Sequence, residues 1–278
     1  MFTMSKQFIL AGLAFFFILP LMAQKDPASM QKKKDAEKIA KRNKMNELMK
    51  NEEEGIPAFK KQSSIQLKMN HDGTGFLYEF GKAKSPFKAT VFQLEYGEKQ
   101  HPKEQKQSST SYAGGGFSVF GKPFIYGKQN IFYQLKFGAG QQIMIGGKSN
   151  KNGVAVYGVL VGGLSIGLLR PYYIEFASTG GSEKIKFSEK DRALFLDPEK
   201  IIGGTGMSEG WSEMKTAPGF YAKTGLRFDW ARFNQVISAL EFGFSFDYYS
   251  KQVVQMADVK GKSFFPTGYI SFVFGKRK

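Results

Sequence analysis

Hydrophobic and polar residues alternate one by one along two neighbouring segments of the chain, 219–230 and 240–248. A period of two is typical of a β-strand, because successive side chains point to opposite faces of a pleated sheet. One parity is mainly apolar and the other carries full charges. The pattern predicts two strands with one aromatic face and one charged face. The apolar parity includes Phe220, Leu226, Phe228, Trp230, Leu240, Phe242, Phe244, Phe246 and Tyr248.

The same alternation recurs in further segments, so that eight strands are predicted in all. Long or variable connections alternate with shorter ones, which places the long loops at one end and both termini at the other. This order predicts an all-β fold: an eight-stranded up-and-down antiparallel transmembrane β-barrel, preceded by a short N-terminal periplasmic α-helix. The predicted connections are 71–75, 83–86, 101–128, 146–153, 173–218, 231–235 and 254–262.

The two faces of the predicted sheet allow two kinds of barrel. An aromatic face turned outwards belongs in lipid, whereas an aromatic face turned inwards makes a soluble eight-stranded barrel. A secretion signal at the N-terminus, described below, favours lipid. Segment 154–169 is apolar on both parities, so the sequence leaves its inward parity open. The predicted lipid-facing residues are Phe228, Trp230, Phe242, Phe244, Phe246, Phe272 and Phe274.

In the membrane barrel, the charged parity fills the lumen. Eight strands leave an interior just wide enough for side chains. Unpaired charge there costs several kcal/mol, so acids and bases are expected to pair in a lumen ion-pair network. A path for protons or small ions is the alternative. The predicted lumen residues are Lys68, Glu79, Glu95, Lys99, Lys136, Lys223, Arg227, Asp229, Glu241 and Asp247.

The N-terminus has the features of a secretory signal peptide. Lys6 precedes an apolar run, 8–22, that is shorter than the ~20 residues of a helical span, and Ala23 offers a cleavage position. An uncleaved anchor is the alternative. The predicted division is a signal peptide at 1–23, a basic periplasmic helix and linker at 24–56, and an outer-membrane barrel at 57–278. The absence of cysteine excludes disulfides and thiol chemistry.

The segment 31–50 predicts a basic helix with only a thin apolar stripe. It is either a polar spacer or an arm that docks on a periplasmic partner or on anionic headgroups. The formal net charge of +16 suggests anionic partners, and a secreted chain favours lipid and lipopolysaccharide over nucleic acid. The basic residues of the predicted arm are Lys32, Lys33, Lys34, Lys38, Lys41, Arg42 and Lys44.

Residues suited to catalysis are scarce. The chain has only two histidines, His71 and His101, each predicted at the loop end of a strand. Some eight-stranded barrels edit lipid A with a Ser–His–acid set, for which Ser108, Ser109 and Glu104 are conceivable partners. No spacing selects these residues, and two scattered histidines lack a metal-ligand pattern. We expect no catalytic residues, no metal and no cofactor.

Several short motifs together resemble an uncharacterised group of Bacteroidota outer-membrane β-barrel proteins. The resemblance covers roughly residue 50 to the end of the chain and implies location and fold, without catalytic residues. Its motifs are His101-Pro102-Lys103-Glu104, Tyr126-Gly127-Lys128-Gln129-Asn130, Arg170-Pro171-Tyr172-Tyr173, Pro218-Gly219-Phe220-Tyr221-Ala222-Lys223 and Phe272-Val273-Phe274-Gly275-Lys276-Arg277. The sequence therefore predicts a non-enzymatic barrel of the cell outer membrane, structural or part of a larger envelope assembly. A lipid A-modifying enzyme and a narrow channel are the alternatives.

Overall fold

The structure, a computed structural model, describes residues 31–32, 34–43, 46, 59–85, 87–113, 117–148, 152–178, 181–233 and 235–278. The chain divides into two compact units, 1–54 and 55–278. In the first, all the described residues between 31 and 46 are helical and exposed. The predicted signal peptide lies outside the described residues, as do Lys33 and Lys44 of the predicted arm. No helix among the described residues is long and apolar enough to cross a membrane.

The second unit contains a closed barrel of eight strands. The barrel strands are β1 (Lys61–Asn70), β2 (Gly73–Ser85), β3 (Lys88–Lys99), β8 (Asn130–Gly146), β9 (Ala155–Pro171), β13 (Lys215–Asp229), β14 (Val236–Val253) and β15 (Lys262–Arg277). Their order around the barrel is β1-β15-β14-β13-β9-β8-β3-β2. Every neighbouring pair is antiparallel, and the first and last strands pair with each other. This confirms the predicted all-β fold.

The long connections contain folded elements where the sequence indicated only loops. The connection between β9 and β13 forms a sheet of three short strands, and it also holds a short α-helix, Arg192–Phe195, and a 3-10 turn, Trp211–Glu213. Buried Phe124, Ile174, Phe195 and Ile201 give this end a core of its own. The smaller strands are β4 (Lys106–Gln107), β5 (Thr110–Ala113), β6 (Phe117–Phe120), β7 (Phe124–Ile125), β10 (Tyr173–Ser178), β11 (Gly181–Lys186) and β12 (Ile201–Gly204).

Burial in the barrel is inverted relative to a soluble protein. On β14, Phe242, Phe244 and Phe246 are exposed, whereas Glu241 and Asp247 are completely buried. Strand β9, whose parity the sequence left open, turns its odd-numbered residues inwards and its even-numbered ones outwards. The register explains this choice, because each β9 residue from 155 to 169 is paired with a β13 residue whose inward parity is unambiguous.

Glycines in the barrel wall make room for large side chains inside it. A Cβ on Gly225 or Gly243 would lie 2.6 or 2.7 Å from the Tyr269 hydroxyl oxygen. A Cβ on Gly138 would meet the ring of Tyr221 at 2.8 Å. Contacts under 3.0 Å need a shift of the tyrosine or of the wall, so the tyrosines and glycines together fill the narrow lumen.

Candidate functional site

The first group of buried charges lies in the half of the barrel nearer the short turns. The Arg227 guanidinium, on β13, donates two hydrogen bonds to the Glu79 carboxylate on β2, at 2.7 and 2.8 Å. The same guanidinium contacts the Glu241 carboxylate through Nε at 2.8 Å. Lys223 Nζ lies 3.2 Å from the other oxygen of Glu241. One guanidinium thus separates two carboxylates, and the four charges balance. We call Glu79, Lys223, Arg227 and Glu241 the arginine cluster.

A second group lies nearer the long loops. Lys68 Nζ is 2.8 Å from the Glu95 carboxylate, and Lys136 Nζ lies 3.6 Å from that carboxylate. Lys136 also contacts Asp247 at 2.7 Å. Lys99 lies 4.0 Å from Asp247. Its ammonium has a closer partner, the Asp72 carboxylate at 2.5 Å. We call Lys68, Glu95, Lys99, Lys136 and Asp247 the lysine cluster.

Tyr269 stands between the two clusters. Its hydroxyl donates to the Glu241 carboxylate at 2.8 Å. The Lys68 ammonium lies 4.4 Å from the centre of its ring, and the Lys223 ammonium lies 5.3 Å from it. A cation near an aromatic face is attracted by the ring quadrupole. The ring of Tyr269 therefore attracts one ammonium group from each cluster. Its side chain lies in the space between the two clusters.

All ten predicted lumen residues are buried and lie within 4.0 Å of an opposite charge. The tenth, Asp229, pairs with Arg277 at 2.6 Å near the short turns. Sequence reasoning missed Arg277, although it shares the inward parity of Tyr269 and Val273. It also missed Asp72 and the Lys128–Glu104 pair at 2.6 Å, because these lie in or beside the predicted connections.

The lumen also contains apolar groups that the sequence did not predict. Val159 and Val161 of β9 pack with Val91 and Tyr221. Nearer the long loops, Phe132, Leu169, Ala217, Tyr249 and Val253 form a larger buried cluster. A strand that is apolar on both faces gives no alternation from which such contacts could be read. The interior is therefore a packed core in which buried ions occupy two levels.

The outer wall presents a belt of apolar side chains. Of the predicted lipid-facing residues, Phe228 is half-buried and the others are exposed, with Phe244 at 62%. At the rim nearer the long loops, Tyr96, Tyr133 and Trp211 form a stack with successive ring centres 5.9 Å apart. The Arg170 guanidinium lies 4.7 Å from the Trp211 ring. Tyrosine and tryptophan are enriched where a membrane meets water.

Three of the five residues considered for catalysis, His101, Glu104 and Ser109, make other contacts. His101 Nδ1 accepts a hydrogen bond from the backbone N–H of Lys103 at 3.2 Å. Partial burial, and then the nearby positive charge of Lys262, lower the pKa of His101. Glu104 contacts Lys128, and the Ser109 hydroxyl donates to the Ile202 carbonyl. Within the described residues, no group of three or more His, Cys, Asp and Glu side chains could hold a metal ion.

Several solved structures of outer-membrane proteins are similar to this chain. Ail of Yersinia pestis, in complex with the heparin analogue sucrose octasulfate, is 11% identical with a TM-score of 0.33, covering 78% of this chain and 98% of that one. Neisserial surface protein A is 10% identical with a TM-score of 0.35, covering 78% and 94%. The N-terminal β-barrel domain of Pseudomonas aeruginosa OprF is 8% identical with a TM-score of 0.32, covering 77% and 96%. No protein-family model and no curated protein matches the chain.

The strand register and the inverted burial together determine where the barrel belongs. Closure pairs every strand with two neighbours, which satisfies the backbone groups and leaves no open sheet edge for lipid to meet. The aromatic belt faces outwards and the ions face inwards. This is the construction of an outer-membrane β-barrel. The protein is accordingly a transmembrane barrel of the outer membrane.

Proposed function

We propose that this barrel is a non-enzymatic envelope protein, either structural or a subunit of a larger outer-membrane assembly, whose lumen is plugged by its ion pairs. One observation is the main support for a closed lumen. In the ring of eight strands, β2 and β13 lie four places apart, on opposite walls. The two hydrogen bonds between Glu79 and Arg227 therefore cross the whole lumen.

Further pairs support a closed interior. The Lys136–Asp247 contact joins β8 to β14, three places apart in the ring. The Lys68–Glu95 contact joins β1 to β3, two places apart. Breaking such a pair leaves a buried charge without a partner, which costs about 3–5 kcal/mol. The plug therefore stays closed in the resting barrel, and this favours a structural role over the narrow channel.

The plug predicts that the purified barrel does not conduct. In a planar bilayer, the protein should give no current steps above the protein-free membrane between pH 6 and 8. Vesicles containing it should take up small sugars no faster than empty vesicles. A quadruple variant, Glu79→Ala, Lys223→Ala, Arg227→Ala and Glu241→Ala, removes all four large side chains of the arginine cluster and should increase uptake if it folds. Steady conductance of the unaltered protein would support the channel alternative.

The proposed partners are outer-membrane lipid and lipopolysaccharide, together with an envelope protein held through the N-terminal helix. The described basic residues of that helix, Lys32, Lys34, Lys38, Lys41 and Arg42, are all exposed. Such a surface gains little from packing on a protein core, because it has almost no apolar stripe. Exposed cations near an anionic surface are instead worth about 1 kcal/mol each. These features favour a docking arm over a structural part of the barrel.

Deletion of residues 31–50 tests the docking arm. The truncated protein should still assemble into a barrel and still run faster unboiled than boiled on a denaturing gel. Proteins that co-purify with the full chain from native membranes in mild detergent should be lost. A control variant replaces the deleted segment by a neutral Gly–Ser linker of equal length. It shows whether the loss of partners comes from the missing charge or from the shorter chain. A truncated chain that no longer folds would show that the segment belongs to the barrel core.

The enzymatic alternative, an editor of lipid A, has less support. The His101 imidazole accepts a hydrogen bond from the backbone N–H of Lys103, and the Glu104 carboxylate accepts from Lys128 and from the backbone N–H of His101. These contacts do not join the imidazole of His101 to the carboxylate of Glu104, as a Ser–His–acid set requires.

We also propose that the chain belongs to the uncharacterised group of Bacteroidota outer-membrane β-barrel proteins. The short motifs that resemble this group, such as Arg170-Pro171-Tyr172-Tyr173, support this assignment.

A further inference from the structure

A cluster of exposed lysines lies outside the barrel at the end with the short turns. Lys61 on β1 is paired directly with Lys82 on β2. Lys276 on β15 is the partner of Ser63, two residues along β1 from Lys61. Lys84 and Lys88 flank the turn between β2 and β3, and all five lysines are exposed. We call Lys61, Lys82, Lys84, Lys88 and Lys276 the lysine collar.

No acidic side chain balances the lysine collar in the described part of the chain. The acidic residues nearest to this end, Glu79 and Asp229, are completely buried and pair inside the barrel. None of the five lysines lies within 4.0 Å of an acidic side chain among the described residues. Like charges directly opposite each other on neighbouring strands, as at Lys61 and Lys82, destabilise a sheet. The isolated barrel therefore carries a repulsion that a bound anion would relieve.

The lysine collar directly borders the apolar belt. Phe80 precedes Lys82 by two residues on the same face of β2, and Phe274 precedes Lys276 in the same way on β15. Two residues of a strand span about 7 Å. Along the strand, these lysines therefore lie about 7 Å closer to the periplasmic end of the barrel than the phenylalanines that contact the acyl chains. In a bilayer this is the level of the phospholipid phosphates.

We propose that the lysine collar binds the phosphate groups of anionic phospholipids in the periplasmic leaflet and thereby selects the lipid around β15, β1, β2 and the start of β3. This deepens the proposed lipid partnership and rests on the barrel spanning a membrane. The position at the edge of the apolar belt favours a lipid headgroup over free phosphate, because the headgroup arrives with acyl chains that the neighbouring phenylalanines contact. Lipopolysaccharide is not the ligand of the lysine collar. The long loops of an outer-membrane barrel are extracellular, so lipopolysaccharide in the outer leaflet surrounds the opposite end of this barrel.

A single tryptophan beside the lysine collar can report which lipid occupies it. The variant Trp211→Phe, Trp230→Phe, Phe80→Trp places the only indole next to Lys82. It is reconstituted in vesicles of phosphatidylcholine and phosphatidylglycerol, and quenching by brominated phosphatidylglycerol is compared with quenching by brominated phosphatidylcholine. Since 1 kcal/mol is about a fivefold ratio, we expect roughly a fivefold preference for the anionic lipid at low salt. The preference should shrink as salt is added.

Substitutions in the lysine collar supply the decisive comparison. Lys61→Gln, Lys82→Gln and Lys276→Gln together should bring the preference close to one, and arginine at the same positions should restore it. The matched control neutralises three exposed lysines in the long loops or at the long-loop end of β14, Lys103→Gln, Lys190→Gln and Lys251→Gln, and should leave the preference unchanged.

Three results would overturn the proposal in distinguishable ways. Equal quenching by both lipids, or a preference that survives the three glutamines, would show that the lysine collar does not select lipid. Loss of the preference when inorganic phosphate is added at constant ionic strength would assign the site to free phosphate. If neither brominated lipid quenches the indole and no heat-modifiable band forms, the membrane location itself fails.

Discussion

Replacing Arg227 by methionine should destabilise the barrel by about 3–5 kcal/mol, because it leaves two buried carboxylates with one cation between them. Glu79 loses both of its hydrogen bonds to the guanidinium, and Lys223 remains as the only partner of Glu241 in the arginine cluster. The midpoint of urea unfolding in vesicles, followed by tryptophan fluorescence, should fall accordingly. The heat-modifiable band should weaken in parallel.

A second substitution separates charge from packing. Adding Glu79→Gln to Arg227→Met leaves Glu241 paired with Lys223. It also removes the carboxylate that has lost its cationic partner and keeps only hydrogen bonds from neutral side chains such as Gln93. This double variant should recover more than half of the lost stability, since breaking a buried pair costs more than replacing both of its members. If the Arg227→Met barrel is as stable as the unaltered protein, the arginine cluster is hydrated and does not close the lumen.

The sequence predicted the barrel because its signal is local and repeated. Alternation along β14 or β15 is visible within nine residues, and it fixes which parity carries charge. Strand count and loop lengths then determine the up-and-down order. Pairing inside the lumen is not local: Glu79 and Arg227 are 148 positions apart. Which acid meets which base depends on the stagger between strands, and the alternation does not contain that stagger.

The folded elements of the long connections could not be predicted from the sequence either. The segment 173–218 mixes charged and apolar residues without a sustained period, so a loop was the natural prediction. In the structure, β10 pairs with both β11 and β12, and Phe195 packs against this small sheet. Strands of four to six residues rely on such tertiary contacts more than on their own pattern. The missed ion partners Asp72 and Glu104 belong to the same kind of region.

The outer belt gives the second large effect, which depends on depth. Phe244 lies at the centre of the outward run of β14 that extends from Leu240 to Tyr248, and it is 62% exposed. An arginine at the mid-plane of the lipid face costs about 2–4 kcal/mol, whereas near the interfaces it costs about 0–1 kcal/mol. Phe244→Arg should therefore lower the urea midpoint and reduce assembly. Val236→Arg, exposed on the same face at the short-turn end of β14, should have little effect.

The comparison of these two positions tests the orientation of the whole barrel. Phe244→Leu serves as the control, because it keeps an apolar side chain at the same depth and should cost far less than arginine. In a barrel surrounded by water, an exposed arginine would be tolerated equally at positions 244 and 236. A difference of about 1–4 kcal/mol between the arginine variants, with leucine close to the unaltered protein, is the result expected of lipid contact. Equal and small effects would instead support a soluble barrel.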